Sequence, residues 1–149
     1  MAKALDIDFD NMIITELLPE NLIKLRENSD PSILYIIKFT APWCGPCQKI
    51  KQVCEDYYHK INKDHKNITC FELDIDETME LYVTLKQKKM VNGIPVLLAY
   101  KGGRTEHWFI PNDSITGGNT IKVAEFFERC IKYSISASSL NNKFMNTSI

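Results

Sequence analysis

The sequence predicts an α/β fold, in which strands and helices alternate along one chain. Apolar, β-branched runs typical of buried strands alternate with runs of helical spacing, in the order β-α-β-α-β-β-α from the strand at Ile33 onward. Two closely spaced cysteines, Cys44 and Cys47, lie where the most apolar strand ends and the longest helix begins. We therefore expect the functional site at that junction.

Length, charge and cysteine usage narrow the class of protein. The 149 residues suit one domain with a sizeable core, and the net charge of −1 gives no reason to expect binding to nucleic acid or a membrane surface. No apolar stretch approaches the ~18 residues of a transmembrane helix, and the N-terminus lacks the apolar segment of a signal peptide. Five cysteines, an odd number with one close pair, fit a reducing compartment. We therefore expect a cytoplasmic protein.

The first half of the chain contains the predicted central strand, Ile33 to Thr40, and the predicted long helix, Gln48 to His65. Before them we predict a short edge strand from Met12 to Glu16 and a helix from Pro19 to about Asn28. The apolar side of the long helix repeats at helical spacing and comprises Ile50, Val53, Cys54, Tyr57 and Ile61.

The second half begins with a strand from Ile68 to Ile75, in which Glu72 and Leu73 point to opposite faces. The further predicted elements are a helix over Glu77–Lys86, a strand over Val96–Tyr100, a hairpin turn over Lys101–Arg104, a returning strand over Thr105–Ile110, a loop over Pro111–Gly118 and a helix over Thr120–Tyr133. In the closing helix, the residues expected to face the core are Ile121, Ala124, Phe127 and Ile131. We divide the chain into a flexible N-terminal segment (1–11), one domain (12–133) and a Ser/Asn-rich tail (134–149) expected to be disordered.

The Cys44–Cys47 pair is suited to thiol–disulfide chemistry. Cys44 is predicted at a helix N-terminus, where free N–H groups and the positive end of the helix dipole favour a thiolate. Such sites lower the pKa of a cysteine from about 8.5 into the range ~3.5–7.5. Pro46 suits a first helical turn, where its missing N–H is not needed. Cys47 lies on the same side of the helix, so it can close or open a disulfide with Cys44.

The stretch Trp43-Cys44-Gly45-Pro46-Cys47 resembles the active site of the thioredoxin family residue for residue, and the preceding Phe39-Thr40-Ala41-Pro42 is similar as well. The resemblance covers roughly residues 12–133. It implies the thioredoxin fold, a central mixed β-sheet flanked by helices on both faces. Gly93-Ile94-Pro95 matches the family's second signature, which implies a cis peptide bond before Pro95, opposite the active site.

Residues around the two cysteines are expected to contact the substrate. A proline cannot donate to a strand ladder, so the Ile94–Pro95 edge leaves the Ile94 backbone free to pair with an extended substrate chain. Trp43 is expected to form a partly exposed wall beside Cys44, and Val91 is expected to extend this apolar surface. Trp108, in contrast, is expected to pack in the core. The predicted substrate-binding residues are Trp43, Gly45, Pro46, Ile75, Ile94 and Pro95.

Lys38 departs from the family pattern. Thioredoxins typically have a buried aspartate at this position, thought to shuttle the proton of the second cysteine, and often a lysine at the position matched here by Glu72. The resemblance therefore implies a semi-buried Lys38–Glu72 pair below Cys47 with its charges exchanged. Glu72 would accept the Cys47 proton, and the Lys38 ammonium would stabilise the thiolates and raise the reduction potential. The alternative is that Lys38 reaches the surface and Glu72 is solvated.

The cysteines and histidines allow two further interpretations. The spacing of Cys44, Cys47, His59 and His65 is near that of a zinc finger. At ~1.5 Å rise per residue the histidines would lie two to three helical turns from Cys44, so we expect no metal. Cys54, Cys70 and Cys130 are expected to be small buried hydrophobes. A regulatory or intermolecular disulfide at one of them stays open.

The resemblance implies a thioredoxin that reduces protein disulfides, with Cys44 as the nucleophile and Cys47 as the resolving thiol. No bound cofactor is expected; electrons would come from NADPH through a thioredoxin reductase, and the protein would be a monomer. Two alternatives stay open. One is a disulfide oxidase or isomerase, which Pro46 disfavours and Lys38 mildly favours. The other is a redox-independent binding module, for which the 111–118 loop and the C-terminal tail provide additional surface.

Overall fold

The computed structural model describes residues 13–103 and 106–147, and it contains five strands and five helices within those residues. The strands are β1 (Ile13–Ile14), β2 (Leu34–Thr40), β3 (Ile68–Asp74), β4 (Val96–Lys101) and β5 (Asp113–Thr116). The helices are α1 (Pro19–Asn28), α2 (Gly45–Lys49), α3 (Lys51–Asp64), α4 (Met79–Gln87) and α5 (Thr120–Thr147). The segment 1–11, predicted to be flexible, lies outside the described residues, so that prediction and the domain limits of 12–133 stay predictions.

The strands form one mixed sheet in the order β1-β3-β2-β4-β5. β3 pairs in parallel with β1 and with β2, whereas β4 is antiparallel to both β2 and β5. The register places Lys38 of β2 beside Glu72 of β3 and beside Leu97 of β4. The predicted α/β class with a mixed sheet is therefore confirmed.

Alternation along the buried strands divides the core into two clusters, one on each face of the sheet. On one face, Leu34 and Ile36 of β2 pack with buried residues of α3 and α5. On the other face, Tyr35, Ile37 and Phe39 pack with residues of α1 and α4. Helices therefore cover both faces, as predicted. Among the described helices, none is long and apolar enough to cross a membrane.

The chain between β4 and β5 corrects the predicted hairpin. Residues 106–110 form turns rather than a strand, and the strand that pairs with β4 is Asp113–Thr116, within the predicted 111–118 loop. The predicted turn residue Arg104 and the strand residue Thr105 lie outside the described residues. The physical reason is the Arg26 guanidinium, which donates to the carbonyls of Trp108 (2.7 Å) and Ile110 (3.1 Å) and holds this connection against α1.

Both predicted long helices differ from the structure. The helix after Cys44 is interrupted at Ile50, which is fully buried and has φ −98° and ψ 4°, so α2 and α3 are separate helices. The closing helix was predicted to end at Tyr133 and to be followed by a disordered tail, but α5 continues to Thr147. No glycine or proline follows Gly118 to stop a helix. Ile121, predicted to face the core, is 69% exposed, and Val123 and Phe126 are buried instead.

Candidate active site

Cys44 occupies the position that the sequence predicts, between the end of β2 and the first turn of α2. It is the N-cap residue of α2, and its Sγ accepts a hydrogen bond from the Cys47 N–H (3.1 Å). Cys44 and Cys47 form a disulfide with their Cα atoms 5.2 Å apart. Both cysteines are buried, with exposed fractions of 5% for Cys44 and 1% for Cys47. The helix N-terminus favours the anionic form of a sulfur at this position once the disulfide is opened.

The apolar surroundings of the disulfide come from the segment before Cys44 and from two other loops. Ala41, Ile75 and Ile94 pack against the two cysteines, and the Ile94–Pro95 peptide bond is cis, as predicted. The Pro95 carbonyl accepts a hydrogen bond from the Gly117 N–H (2.9 Å). Ile94 makes no backbone hydrogen bond with any other described residue. Its backbone is therefore available to an extended chain.

Val91 is not part of this surface. It was predicted to extend the apolar area beside the cysteines, but it is buried in the core on the α1 and α4 face of the sheet. Trp108 packs partly buried against the same core, as predicted.

Trp43 lies beside Cys44 and is 67% exposed, as expected for a surface wall. Its indole N–H donates to the Asp76 carboxylate (2.9 Å), and the backbone N–H of Asp76 donates to the Asp74 carboxylate (2.9 Å). Asp76 was not among the predicted site residues, yet it orients the indole next to Cys44. No local pattern in the sequence indicates this contact, because 33 residues separate the two partners.

Gly118 is a second residue that the sequence interpretation missed. A Cβ atom at Gly118 would approach both the Cβ and the carbonyl oxygen of Pro46 to 3.0 Å. Only a glycine lets the segment between β5 and α5 pack this closely against the active-site turn without displacing it. Two adjacent glycines, Gly117 and Gly118, were the indication in the sequence that this segment packs closely against another. In the structure they form a third wall next to the cysteines and Ile94.

Lys38 and Glu72 form the predicted ion pair. The Lys38 Nζ lies 3.3 Å from Glu72 Oε1, and the side chains are 2% and 33% exposed respectively. Lys38 does not reach the surface, so the alternative of a solvated lysine is excluded. The Tyr58 hydroxyl donates to the same Oε1 (2.9 Å). The pair borders a cleft of about 350 Å³ that Cys47 also lines.

The other three cysteines are free thiols in the core, as expected. Burial raises the pKa of Cys54 to about 11 and that of Cys130 to about 12, and it raises the pKa of Cys70 further. These thiols remain protonated at neutral pH and are unsuited to act as nucleophiles. Within the part of the chain that the structure describes, no group of three or more His, Cys, Asp or Glu side chains could hold a metal ion.

A family model described as thioredoxin matches residues 23–126. The chain belongs to the thioredoxin family. It is 34% identical over 71 residues to Thioredoxin-2 of Saccharomyces cerevisiae, a match that covers 48% of this chain and 61% of the relative. It is 31% identical over 111 residues to the mitochondrial Thioredoxin O2 of Arabidopsis thaliana, covering 74% of this chain and 60% of that one. The chain thus spans less than two thirds of these thioredoxins.

Solved thioredoxin structures have the same fold. The thioredoxin of Trypanosoma brucei brucei matches 88% of this chain and 96% of its own, with a TM-score of 0.56 at 19% identity. The thioredoxin of Fasciola hepatica matches 78% of this chain and 98% of its own, with a TM-score of 0.55 at 24% identity. Family membership and the Cys44–Cys47 pair together support a thiol–disulfide oxidoreductase.

Proposed function

We propose that this protein reduces disulfide bonds in other proteins by a two-thiol mechanism. The observation that carries the proposal is the Cys44–Cys47 disulfide at the start of α2, next to a largely exposed Trp43. A disulfide at a helix N-terminus is suited to exchange with a disulfide of a partner protein, and of its two sulfur residues Cys44 is the more exposed.

In the reduced protein, the Cys44 thiolate attacks one sulfur of a substrate disulfide. A new Cys44–substrate disulfide forms, and the other substrate sulfur leaves as a thiolate that takes a proton from water. The free N–H groups of the first turn of α2 stabilise the Cys44 thiolate before this attack. Cys44 is therefore the nucleophile.

Cys47 then resolves the mixed disulfide. It loses its proton and attacks Cys44 Sγ, so that the Cys44–Cys47 disulfide forms and the second substrate thiolate is released. The substrate gains two electrons and two protons, and the protein is oxidised by the same amount. Its 1% exposure protects Cys47 from competing reactants until the mixed disulfide has formed beside it.

The substrate chain is proposed to lie along Ile94. The free backbone N–H and carbonyl of Ile94 would pair with an extended segment, as a strand added to a sheet edge. Trp43, Ile75 and the Gly117–Gly118 segment would contact its apolar side chains. The same surface would accept a thioredoxin reductase that returns electrons from NADPH, because the reductase must reach the same disulfide. No cofactor of the protein's own takes part in this scheme, and a monomer suffices for it.

The proposed location is the cytoplasm. Three cysteines remain free thiols, which fits a reducing compartment. Fractionation of cells followed by immunodetection tests this, and enrichment in an organelle would contradict it.

Reduction of insulin disulfides by the purified protein, with dithiothreitol as the electron source, tests the proposed activity. We expect Cys44→Ser to abolish turnover and Cys47→Ser to accumulate a mixed disulfide that is visible by intact mass. Cys130→Ala, which changes a core thiol away from the site, is the matched control and should retain turnover. Full turnover by Cys44→Ser would overturn the proposal.

The reduction potential separates the proposed reductant from the oxidase or isomerase alternative. We expect a value near about −270 mV for the Cys44–Cys47 pair, measured by equilibration in glutathione buffers, alkylation and mass analysis. A value near about −180 mV would instead favour an oxidase or isomerase. A pair that does not cycle would favour a binding module.

A further inference from the structure

One asparagine–glycine pair, Asn92-Gly93, lies in the loop that leads to the Ile94–Pro95 edge. The sequence has no other such pair. Asparagine is a thermolabile residue, because its side-chain amide can react with the backbone nitrogen of the next residue. A glycine in the next position hinders this reaction least, since it has no Cβ and moves freely about its backbone bonds. Asn92 is therefore the asparagine at which the local sequence most favours modification.

The Asn92 side chain is not held in place, unlike those of two other exposed asparagines. Asn112 Oδ1 accepts the backbone N–H of Lys101 (2.9 Å). Asn119 Oδ1 accepts the backbone N–H of Lys122 at the start of α5 (3.0 Å). Asn92 is exposed, and its side chain makes no hydrogen bond with any residue that the structure describes. Its amide is thus free to turn toward the following backbone nitrogen.

Gly93 is accessible and lightly restrained. A Cβ atom placed on it would meet no atom within 4 Å, and its φ of 127° is one that glycine adopts far more readily than other residues. Among the described residues, its N–H donates to the Tyr82 hydroxyl of α4 (3.1 Å) and to no backbone carbonyl. The Tyr82 ring is held by an edge contact with Phe39, with the ring centroids 5.1 Å apart. One hydrogen bond therefore restrains the nitrogen that would react.

We propose that Asn92 is a deamidation site of the folded protein, and that its modification alters the edge on which the substrate is held. The Gly93 nitrogen attacks the carbonyl carbon of the Asn92 side chain. A new C–N bond closes a cyclic imide, and the side-chain nitrogen leaves as ammonia, which carries the Gly93 proton. Water then opens the imide at either carbonyl and leaves aspartate or isoaspartate. No oxidant or reductant takes part.

The products change the backbone next to Ile94. Both of them add a negative charge directly before Gly93. Isoaspartate also inserts a methylene group into the main chain, which shifts the Gly93 N–H away from the Tyr82 hydroxyl. The Ile94 backbone follows immediately and is the group proposed to pair with the substrate chain. The consequence for activity therefore rests on the proposed function, whereas the modification itself does not.

Ageing of the purified full chain, followed by peptide mass analysis, tests the site. The protein is kept in mildly alkaline buffer without substrate, and isoaspartate is counted separately by methylation with a protein isoaspartate methyltransferase. We expect the peptide with Asn92 to gain a carboxylate before those with Asn112 and Asn119. Asn92→Gln should abolish this gain, because the longer side chain closes the ring poorly. Equal rates at the three asparagines would overturn the proposal.

The same measurement in urea separates the effect of structure from that of sequence. Unfolding frees the side chains of Asn112 and Asn119 from their hydrogen bonds, so folding should slow modification at these two sites more than at Asn92. Equal or stronger protection of Asn92 by folding would contradict a site that reacts in the folded protein.

Tyr82→Phe tests the restraint on the Gly93 nitrogen. We expect this variant to speed modification of Asn92 by about twofold to tenfold, as loss of one hydrogen bond would allow. Tyr58→Phe, which changes a buried tyrosine bonded to Glu72 on the other face of the sheet, is the matched control and should keep the wild-type rate. The same rate in both variants would show that the Tyr82 hydroxyl does not restrain the reaction.

The effect on activity is measured on the aged protein after ion exchange has removed unmodified chains, which lack the added charge. We expect the aged protein to lose about tenfold or more in kcat/KM for insulin, as displacement of a positioning group does. Its reaction with a small aromatic disulfide, which needs Cys44 but not the Ile94 edge, should be unchanged. Asn92→Asp adds the charge without the methylene and should lose less. Full insulin turnover by the aged protein would contradict the effect on the substrate edge.

Failure of the proposed function has a different signature. If fresh wild-type protein does not reduce insulin, the proposed function fails, while mass analysis still decides whether Asn92 is modified. If fresh protein is active and Asn92 reacts no faster than Asn112 and Asn119, the modification site alone fails.

Discussion

At the scale of single residues, position along the fold separates the cysteines into two chemical classes. Cys44 and Cys47 lie at the first turn of α2, where backbone N–H groups favour a thiolate. Cys54, Cys70 and Cys130 are surrounded by apolar side chains of the core, which disfavour it. The same side chain is therefore reactive at one end of the sheet and inert inside it.

This difference predicts the pattern of alkylation. At about pH 8, iodoacetamide should label Cys44 of the reduced, folded protein. It should label neither Cys47, which is 1% exposed, nor the three core thiols, because burial raises the pKa of Cys54 to about 11 and that of Cys130 to about 12. Intact mass should show one label on the folded protein and five after denaturation, since the chain has five cysteines. Rapid labelling of a second cysteine in the folded protein would contradict this assignment.

At the scale of elements, one arginine organises the connection between β4 and β5. Arg26 of α1 is 6% exposed. Its guanidinium donates to the carbonyls of Lys101, Trp108 and Ile110 and to the side chain of Asn112. It also stacks 5.0 Å from the centroid of the Tyr100 ring. All of these partners are neutral, so the guanidinium acts through the number and direction of its hydrogen bonds rather than through an ion pair.

We expect Arg26→Ala to lower the free energy of unfolding by about 3 kcal/mol or more, because it leaves several carbonyls without a donor. Arg26→Lys should recover only part of this loss, since an ammonium cannot reproduce the planar fork of donors. Urea denaturation measures both, and hydrogen exchange should show faster exchange at Asn112. Lys24→Ala, an exposed cation on the same helix, is the matched control. Equal stabilities for Arg26→Ala and Lys24→Ala would contradict this role.

At the scale of the whole molecule, the buried thiols make stability depend on pH in the alkaline range. The ordinary pKa of the cysteine thiols is 9.0, and the folded protein raises that of Cys54 to about 11 and that of Cys130 to about 12. Above pH 9 the unfolded chain therefore loses thiol protons that the folded protein keeps. Ionisation favours the unfolded state, so stability is fully present below pH 9 and is lost progressively as pH rises toward the folded pKa values.

Each such thiol should contribute a slope of about 1.4 kcal/mol per pH unit well above pH 9. We expect the free energy of unfolding of the oxidised protein, measured in urea, to fall between about pH 9 and about pH 11. Cys130→Ala removes one of these thiols and should make the slope shallower by about that amount. An identical slope in the variant would show that Cys130 does not keep its proton on folding.

Local sequence patterns were sufficient to predict the central strands and the start of the active-site helix. The apolar runs of β2 and β3 and the helix start at Cys44 follow from spacing and burial, so their boundaries agree with the structure to within a residue or two. The Lys38–Glu72 pair could be anticipated because resemblance to a family placed the two positions on neighbouring strands. Its link to Tyr58 could not, because the spacing placed Tyr57 on the apolar side of the helix, whereas the structure buries Tyr58.

The errors arose where distant residues decide the structure. The turn around Trp108 depends on Arg26, far away in the sequence, and a Gly-Gly pair before alternating residues is locally a reasonable hairpin signal. The length of α5 was underestimated because serine and asparagine favour loops. Asp76 and Gly118 were missed because each acts on a residue of another loop, Trp43 and Pro46 respectively.

The interruption at Ile50 has a mechanical consequence. The redox-active turn, Gly45–Lys49, buries only Cys47, whereas α3 beyond it carries the buried Cys54, Tyr58 and Ile61. Opening and closing the disulfide changes the separation of two sulfurs at one end of this arrangement. Because the buried Ile50 separates two helices, we expect that displacement to be absorbed within α2 and not to be transmitted along α3. The reduced and oxidised proteins should then differ at the active-site turn and share the same core.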